Sequence, residues 1–299
     1  MKGFLQASES PHQQDKGHYS AAVMTHEPLP TSEGYSHSRC YASARADCSP
    51  KLSGEHLVSD SVLRLTGAKA VTTTHRPWSR HGEPATVGIS SFTAKVLCEH
   101  HNSALSTYDT AALDFTAAFT YFGLKLLTTP ELVDSPEVFS ISGDDLQRWV
   151  LKTLLAHGAG AVFRCEGKDV EIITNRKIVD LLFDSGPWPS EWGLYIAPTL
   201  SDPITPASVN NFYGGCQPFV HKDGYLIGGL VWLGGMALAL ALFRPEANDG
   251  GPLDGALHQP QAVQFLIGDM VKVVKLAWAD DRDHPMLSYN GELTPVARS

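Results

Sequence analysis

The chain has 299 residues, 43% of them hydrophobic and 18% charged, with a formal net charge of −9. That balance supports a packed core rather than a chain disordered throughout, and the length suits roughly two domains of ~100–200 residues. The acidity argues against a nucleic-acid surface spread over the whole molecule, but it is uneven: residues 37–125 carry nine Lys and Arg against seven Asp and Glu, whereas residues 126–299 carry −9.

Residues 1–36 are polar, rich in Ser, His and Gln, and lack the apolar core of a signal peptide. They are expected to form a disordered arm. The five cysteines, at positions 40, 48, 98, 165 and 216, are odd in number. Without a secretion signal that argues against a disulfide framework and for a reducing, cytoplasmic setting.

The segment CYASARADCSPKLSGEHLVSDSVL, residues 40–63, brings a C-x7-C pair, Cys40 and Cys48, close to the dipeptide Glu55-His56. A polar stretch, TTTHRPWSRHGEP, follows as an insertion in which His75, Arg76, Arg80 and His81 are candidates for touching a phosphate backbone. ISSFTAKVLCE, residues 89–99, is β-like and ends in a cysteine turn. There Cys98 and His101 form C-x2-H, with Asn102 next in line. The residues after it read as one helix, with Leu105, Tyr108, Ala112, Phe115, Phe119 and Phe122 on a single apolar stripe and Pro130 closing the region.

A second helix is expected from Ser142, where S-G-D-D offers a cap with an acid three residues on, and Leu146, Trp149, Val150, Thr153 and Leu154 form its buried face. NRKIVDLLFDSG, residues 175–186, reads as a third, shorter helix. Tyr225–Phe243 is an uncharged stretch of 19 residues, within the length of a membrane span. Its interior glycines and the strict alternation of Met236, Leu238, Leu240 and Leu242 with alanine favour two buried strands joined at Gly234-Gly235.

Two Cys/His pairs, one in a loop and one at a helix start, supply the four ligands of a structural zinc; thiolate and imidazole together suit zinc rather than magnesium. An acid directly before a histidine offers a hard oxygen for a divalent cation and an imidazole able to take a proton from water. With Asn102 on the helix after the second pair, the order of parts resembles the HNH endonuclease superfamily over residues 40–122. The resemblance implies a ββα-metal (treble-clef-like) module with Cys40, Cys48, Cys98 and His101 on zinc. It implies Glu55 and Asn102 on a catalytic magnesium or manganese ion, and His56 as general base. The seven-residue spacing of the first pair and His101 in place of a cysteine depart from the family pattern.

The expected architecture is α+β: an arm over 1–36, the HNH-like zinc module over 37–125, and an α+β accessory domain over 126–299 in which no catalytic motif is legible. The expected function is metal-dependent hydrolysis of phosphodiester bonds in nucleic acid, DNA before RNA, with no membrane partner. The acidic C-terminal region is a candidate surface for a protein partner. The competing expectation is a zinc-stapled nucleic-acid- or protein-binding module without hydrolytic activity.

Overall fold

The computed structural model describes residues 34–65, 68–73, 84–128, 137–165, 168–169, 172, 175–184, 186–196, 213–233, 236–245, 253, 255–267 and 270–291. Most of the expected arm, together with His75, Arg76, Arg80, His81 and the Gly234-Gly235 turn, lies outside these residues.

Strand β1, Leu52–His56, is followed by the short helix α1, Asp60–Arg64, and by a small hairpin of β2, Ala70–Thr73, and β3, Ala85–Gly88. Strand β4, Thr93–Cys98, then returns antiparallel to β1, pairing Leu52 with Cys98 and His56 with Thr93. The ladder is irregular between Ser53 and Glu55, where Gly54 sits. Two helices follow: α2, Glu99–Ala104, and α3, Ser106–Thr128. The single helix expected here is thus broken at Leu105, whose N–H closes on the carbonyls of Asn102 and Ser103 in a tightened last turn. Leu105, Ala112 and Phe115 are buried, as the stripe requires; the side chains of Phe119 and Phe122 are outside the described set.

Strand β5, Glu137–Ser142, leads into α4, Gly143–Ala159. Ser142 Oγ accepts the N–H of Asp145 at 3.1 Å, the cap that the S-x-x-D pattern predicts. Helix α4 is buried on almost every side, polar Gln147, Arg148, Lys152, Thr153 and His157 included, so it serves as the central post of the molecule. After two-residue strands β6, Arg164–Cys165, and β7, Lys168–Asp169, comes α5, Arg176–Phe183, capped by Asn175 Oδ1 on the N–H of Lys177.

The remaining chain is β: β8, Gly193–Ile196; β9, Tyr213–Val220; β10, Leu226–Leu233; β11, Met236–Ala241; β12, Leu257–His258; β13, Ala262–Ile267; β14, Met270–Ala277; and β15, Met286–Gly291. An antiparallel sheet runs β12-β8-β11-β10-β9, and a mixed one runs β15-β13-β14-β5 with parallel outer pairs. The chain is therefore α+β. The apolar stretch at 225–243 is the β10–β11 antiparallel pair, with every residue of β11 buried. Among the described residues no helix is long and apolar enough to cross a membrane. One buried apolar cluster runs from Cys40 to Leu287, with α4 at its centre.

Candidate metal centre and adjoining pocket

The turn from β4 into α2 places two ligands at once. Cys98 is the N-cap of α2: its Sγ accepts the N–H of His101 at 3.5 Å, which turns the His101 ring back toward the sulfur. The loop carrying Cys40 and Cys48 is tied to this turn by Tyr41 N–H to Val96 O and by Glu99 N–H to Lys51 O. As a result Cys40, Cys48, Cys98 and His101, all buried, bring their ligand atoms within 4.8 Å of one another. His101 Nδ1 lies 3.5, 3.7 and 3.2 Å from the sulfurs of Cys40, Cys48 and Cys98. A tetrahedral ion with zinc-like Zn–S and Zn–N bonds spans an S···N edge of about 3.6 Å. The four residues expected as structural ligands thus form a site that fits a metal ion such as zinc.

The surroundings of the thiols set what a bound cation would have to offset. Burial pushes Cys40 up to about 12 and also raises Cys48. Cys98 is lowered although burial opposes it, because the backbone N–H groups of His101 and Ser49 face its sulfur. Three thiolates packed this closely require a cation among them to ionise together.

Asp47, between the two loop cysteines, sets a carboxylate oxygen 2.8 Å from His101 Nε2; the contact is close but not aligned as a hydrogen bond. An acid behind a metal-bound imidazole fixes its tautomer and raises its basicity. Only the proximity of Asp47 to the cysteines hinted at this role in the sequence. Exposed His100 stays outside the four-ligand cluster, although Asp47, His100 and His101 also form a second, partly exposed group. Helix α5 closes the cluster from the other side: Phe183 meets the His101 ring edge-on at 5.0 Å, and Arg45 stacks over Phe183 while bonding Asp180 at 2.7 Å.

Beside this centre lies an open pocket of about 460 Å³ lined by Glu55, His56, Ser59, Asp60, Ser61, Asn102, Ser103, Ser106, Asp109 and Lys152. The three residues expected to carry catalysis, Glu55, His56 and Asn102, therefore share one cavity. His56 ends β1 and is half-buried, with Nε2 3.4 Å from Asp60 Oδ1; Asp60 is itself held by Arg64 at 2.6 Å. Burial lowers the His56 pKa, with Asp60 opposing only in part, so its imidazole is neutral at pH 7. Asn102 Nδ2 donates to Ser53 Oγ at 2.8 Å, which leaves the amide oxygen for other partners.

Glu55 points inward and is 2% exposed. Its Oε1 lies 3.0 Å from the ammonium of Lys152, which also contacts both oxygens of Asp109 at 2.9 Å. Asp109 further accepts from Ser59 Oγ at 2.5 Å, and Ser59 in turn accepts from Trp149 Nε1 at 2.7 Å. Burial raises the Glu55 pKa against the pull of Lys152. Burial likewise opposes the charge on Lys152, but the two carboxylates outweigh it and its pKa is raised. Lys152 reaches the pocket from α4, and no local pattern near Glu55 announces it. The carboxylate expected to hold magnesium or manganese thus already faces a buried cation, although its Oε1 has no aligned hydrogen-bond donor.

Comparison with protein-family models, with curated proteins and with solved structures finds no match to this chain.

Proposed function

We propose that this protein is an HNH-type nuclease, hydrolysing phosphodiester bonds in nucleic acid, DNA before RNA, at the pocket that holds His56. The observation carrying the reading is the convergence of Glu55, His56 and Asn102 on one open cavity directly beside a Cys3His cluster. The antiparallel β1–β4 pair followed by α2 supports it by giving the parts the order the resemblance requires.

In this reading zinc on Cys40, Cys48, Cys98 and His101 is structural and pins the start of α2, and hence Asn102. His56, neutral and backed by Asp60, takes the proton from water as that water attacks phosphorus, while one ester P–O bond breaks and the departing sugar oxygen is protonated from solvent in the open pocket. Asn102 orients a phosphate oxygen or the water through its free amide oxygen and its neighbours on α2. A second groove, lined by Arg39, Lys95 and Thr93, begins across the strand pair from His56, and its two cations suit a phosphate backbone.

One observation favours the second reading, a zinc-stapled binding module: Glu55 and Asp109 are both ion-paired with the buried Lys152 ammonium without any ligand. Incubation of the zinc-loaded chain with double-stranded DNA, single-stranded DNA and RNA separates the two. Strand scission supports the nuclease, whereas retention of intact nucleic acid by a non-cleaving protein supports the binding module.

A further inference from the structure

Lys152 is 5% exposed, yet it lines the pocket beside His56 and Asn102. Its ammonium has three hydrogens and meets three carboxylate oxygens, Asp109 Oδ1 and Oδ2 at 2.9 Å and Glu55 Oε1 at 3.0 Å. Magnesium demands a near-octahedral oxygen shell at roughly 2.0–2.1 Å and keeps several waters. Such a shell around Glu55 Oε1 would meet a buried ammonium of like charge, whose displacement would leave that ammonium without partners. The chain Trp149 to Ser59 to Asp109 fixes the second carboxylate toward Lys152. The ammonium is therefore built in from both sides.

We propose that Lys152 is the resident cation of this pocket, in the place where the resemblance puts a divalent ion, so that the pocket binds no magnesium or manganese. Hydrogen-bonded to both oxygens of Asp109 and ion-paired with Glu55, Lys152 is a positioning residue. It fixes the acid beside His56 and acts on a bound phosphate through charge alone. That last role rests on the phosphodiester reading; the exclusion of a divalent ion does not.

The test is a manganese titration of the zinc-loaded full chain, read by the electron paramagnetic resonance signal of free Mn2+, which zinc does not disturb. Wild type and Lys152→Arg are expected to leave the signal as in buffer. Lys152→Met is expected to remove one ion per chain, an uptake lost again when Glu55→Gln is added. Uptake of one ion per chain by wild type, abolished by Glu55→Gln, would overturn the proposal; uptake that survives Glu55→Gln places the ion elsewhere and upholds it. A folded Lys152→Met protein that takes up no ion would also count against it. Should that variant not fold, the wild-type titration decides. Cleavage assayed on the same samples keeps the two readings apart. A silent titration without cleavage removes the nuclease and keeps Lys152 as the cation, whereas His56-dependent cleavage with manganese on Glu55 does the reverse.

Discussion

Substituting Cys98 by serine isolates the contribution of the metal from that of the fold around it. The thiol is placed to act twice, as one of four side chains that could hold a metal ion and as the N-cap of α2. Serine is a good N-cap, so Cys98→Ser keeps the helix start and removes a soft ligand. A ligand that binds only the folded state stabilises it by about 4 kcal/mol at a thousandfold excess over Kd. Structural zinc binds with apparent energies of ~10–16 kcal/mol in small zinc domains, so loss of one thiolate of three forfeits at least that first increment. Against a typical stability of ~5–15 kcal/mol this is severe, and at ~2–4 °C per kcal/mol the melting temperature falls on the order of 10 °C. The assay is thermal unfolding in reducing buffer with fixed zinc, beside elemental analysis of bound metal. One zinc per chain in Cys98→Ser, with melting unchanged, would show that the ion is not at this cluster.

Three further outcomes follow from the structure. His56 has its pKa lowered by burial, so the acid limb of kcat/KM is expected below the ordinary imidazole value of ~6.5. The same depression makes the unfolded state the stronger proton binder, so the His56 contribution to stability rises with pH between the lowered value and ~6.5. An acid limb above neutrality would remove His56 as the base. Gly229 in β10 faces α4, where an added Cβ would collide with Leu154 Cδ2 and lie 2.5 Å from the backbone oxygen of Gln217. Gly229→Ala is expected to cost ~1–3 kcal/mol by overpacking, read as a lowered urea midpoint at unchanged slope. A midpoint equal to wild type would mean that the β10–α4 contact is looser than described.

The parts of the site that sequence reveals are those whose chemistry is local. Cys98, His101 and Asn102 lie within five residues on one turn, and that turn forms because the thiol caps the helix it precedes. Cys40 and Cys48 are legible because two cysteines in one loop, ahead of an acid–histidine pair, match the order of parts in the family the sequence resembles. The alternation of Met236 to Leu242 with alanine also identifies β11 as a buried strand, and every residue of it is buried. Lys152 is illegible for the opposite reason. It sits in a helix whose amphipathic pattern assigns it no face, and its charge has meaning only once α4 docks against Glu55 and Asp109. Asp109, in the first turn of α3, is likewise half-buried against Ser59 and Lys152, contacts that arise only in the folded chain. The parallel pairings of β5 with β14 and of β13 with β15 join strands distant in sequence, which no local periodicity encodes.

The proposed nuclease activity turns on whether the imidazole of His56 moves a proton. The direct measurement is the initial rate of supercoiled-plasmid nicking by wild type and His56→Ala, each first shown to hold equal zinc. The expected result is nicking by wild type and a rate lower by ~10²–10⁴-fold in the variant, the usual cost of a lost general base. Equal rates from the two proteins would contradict a nuclease centred on His56.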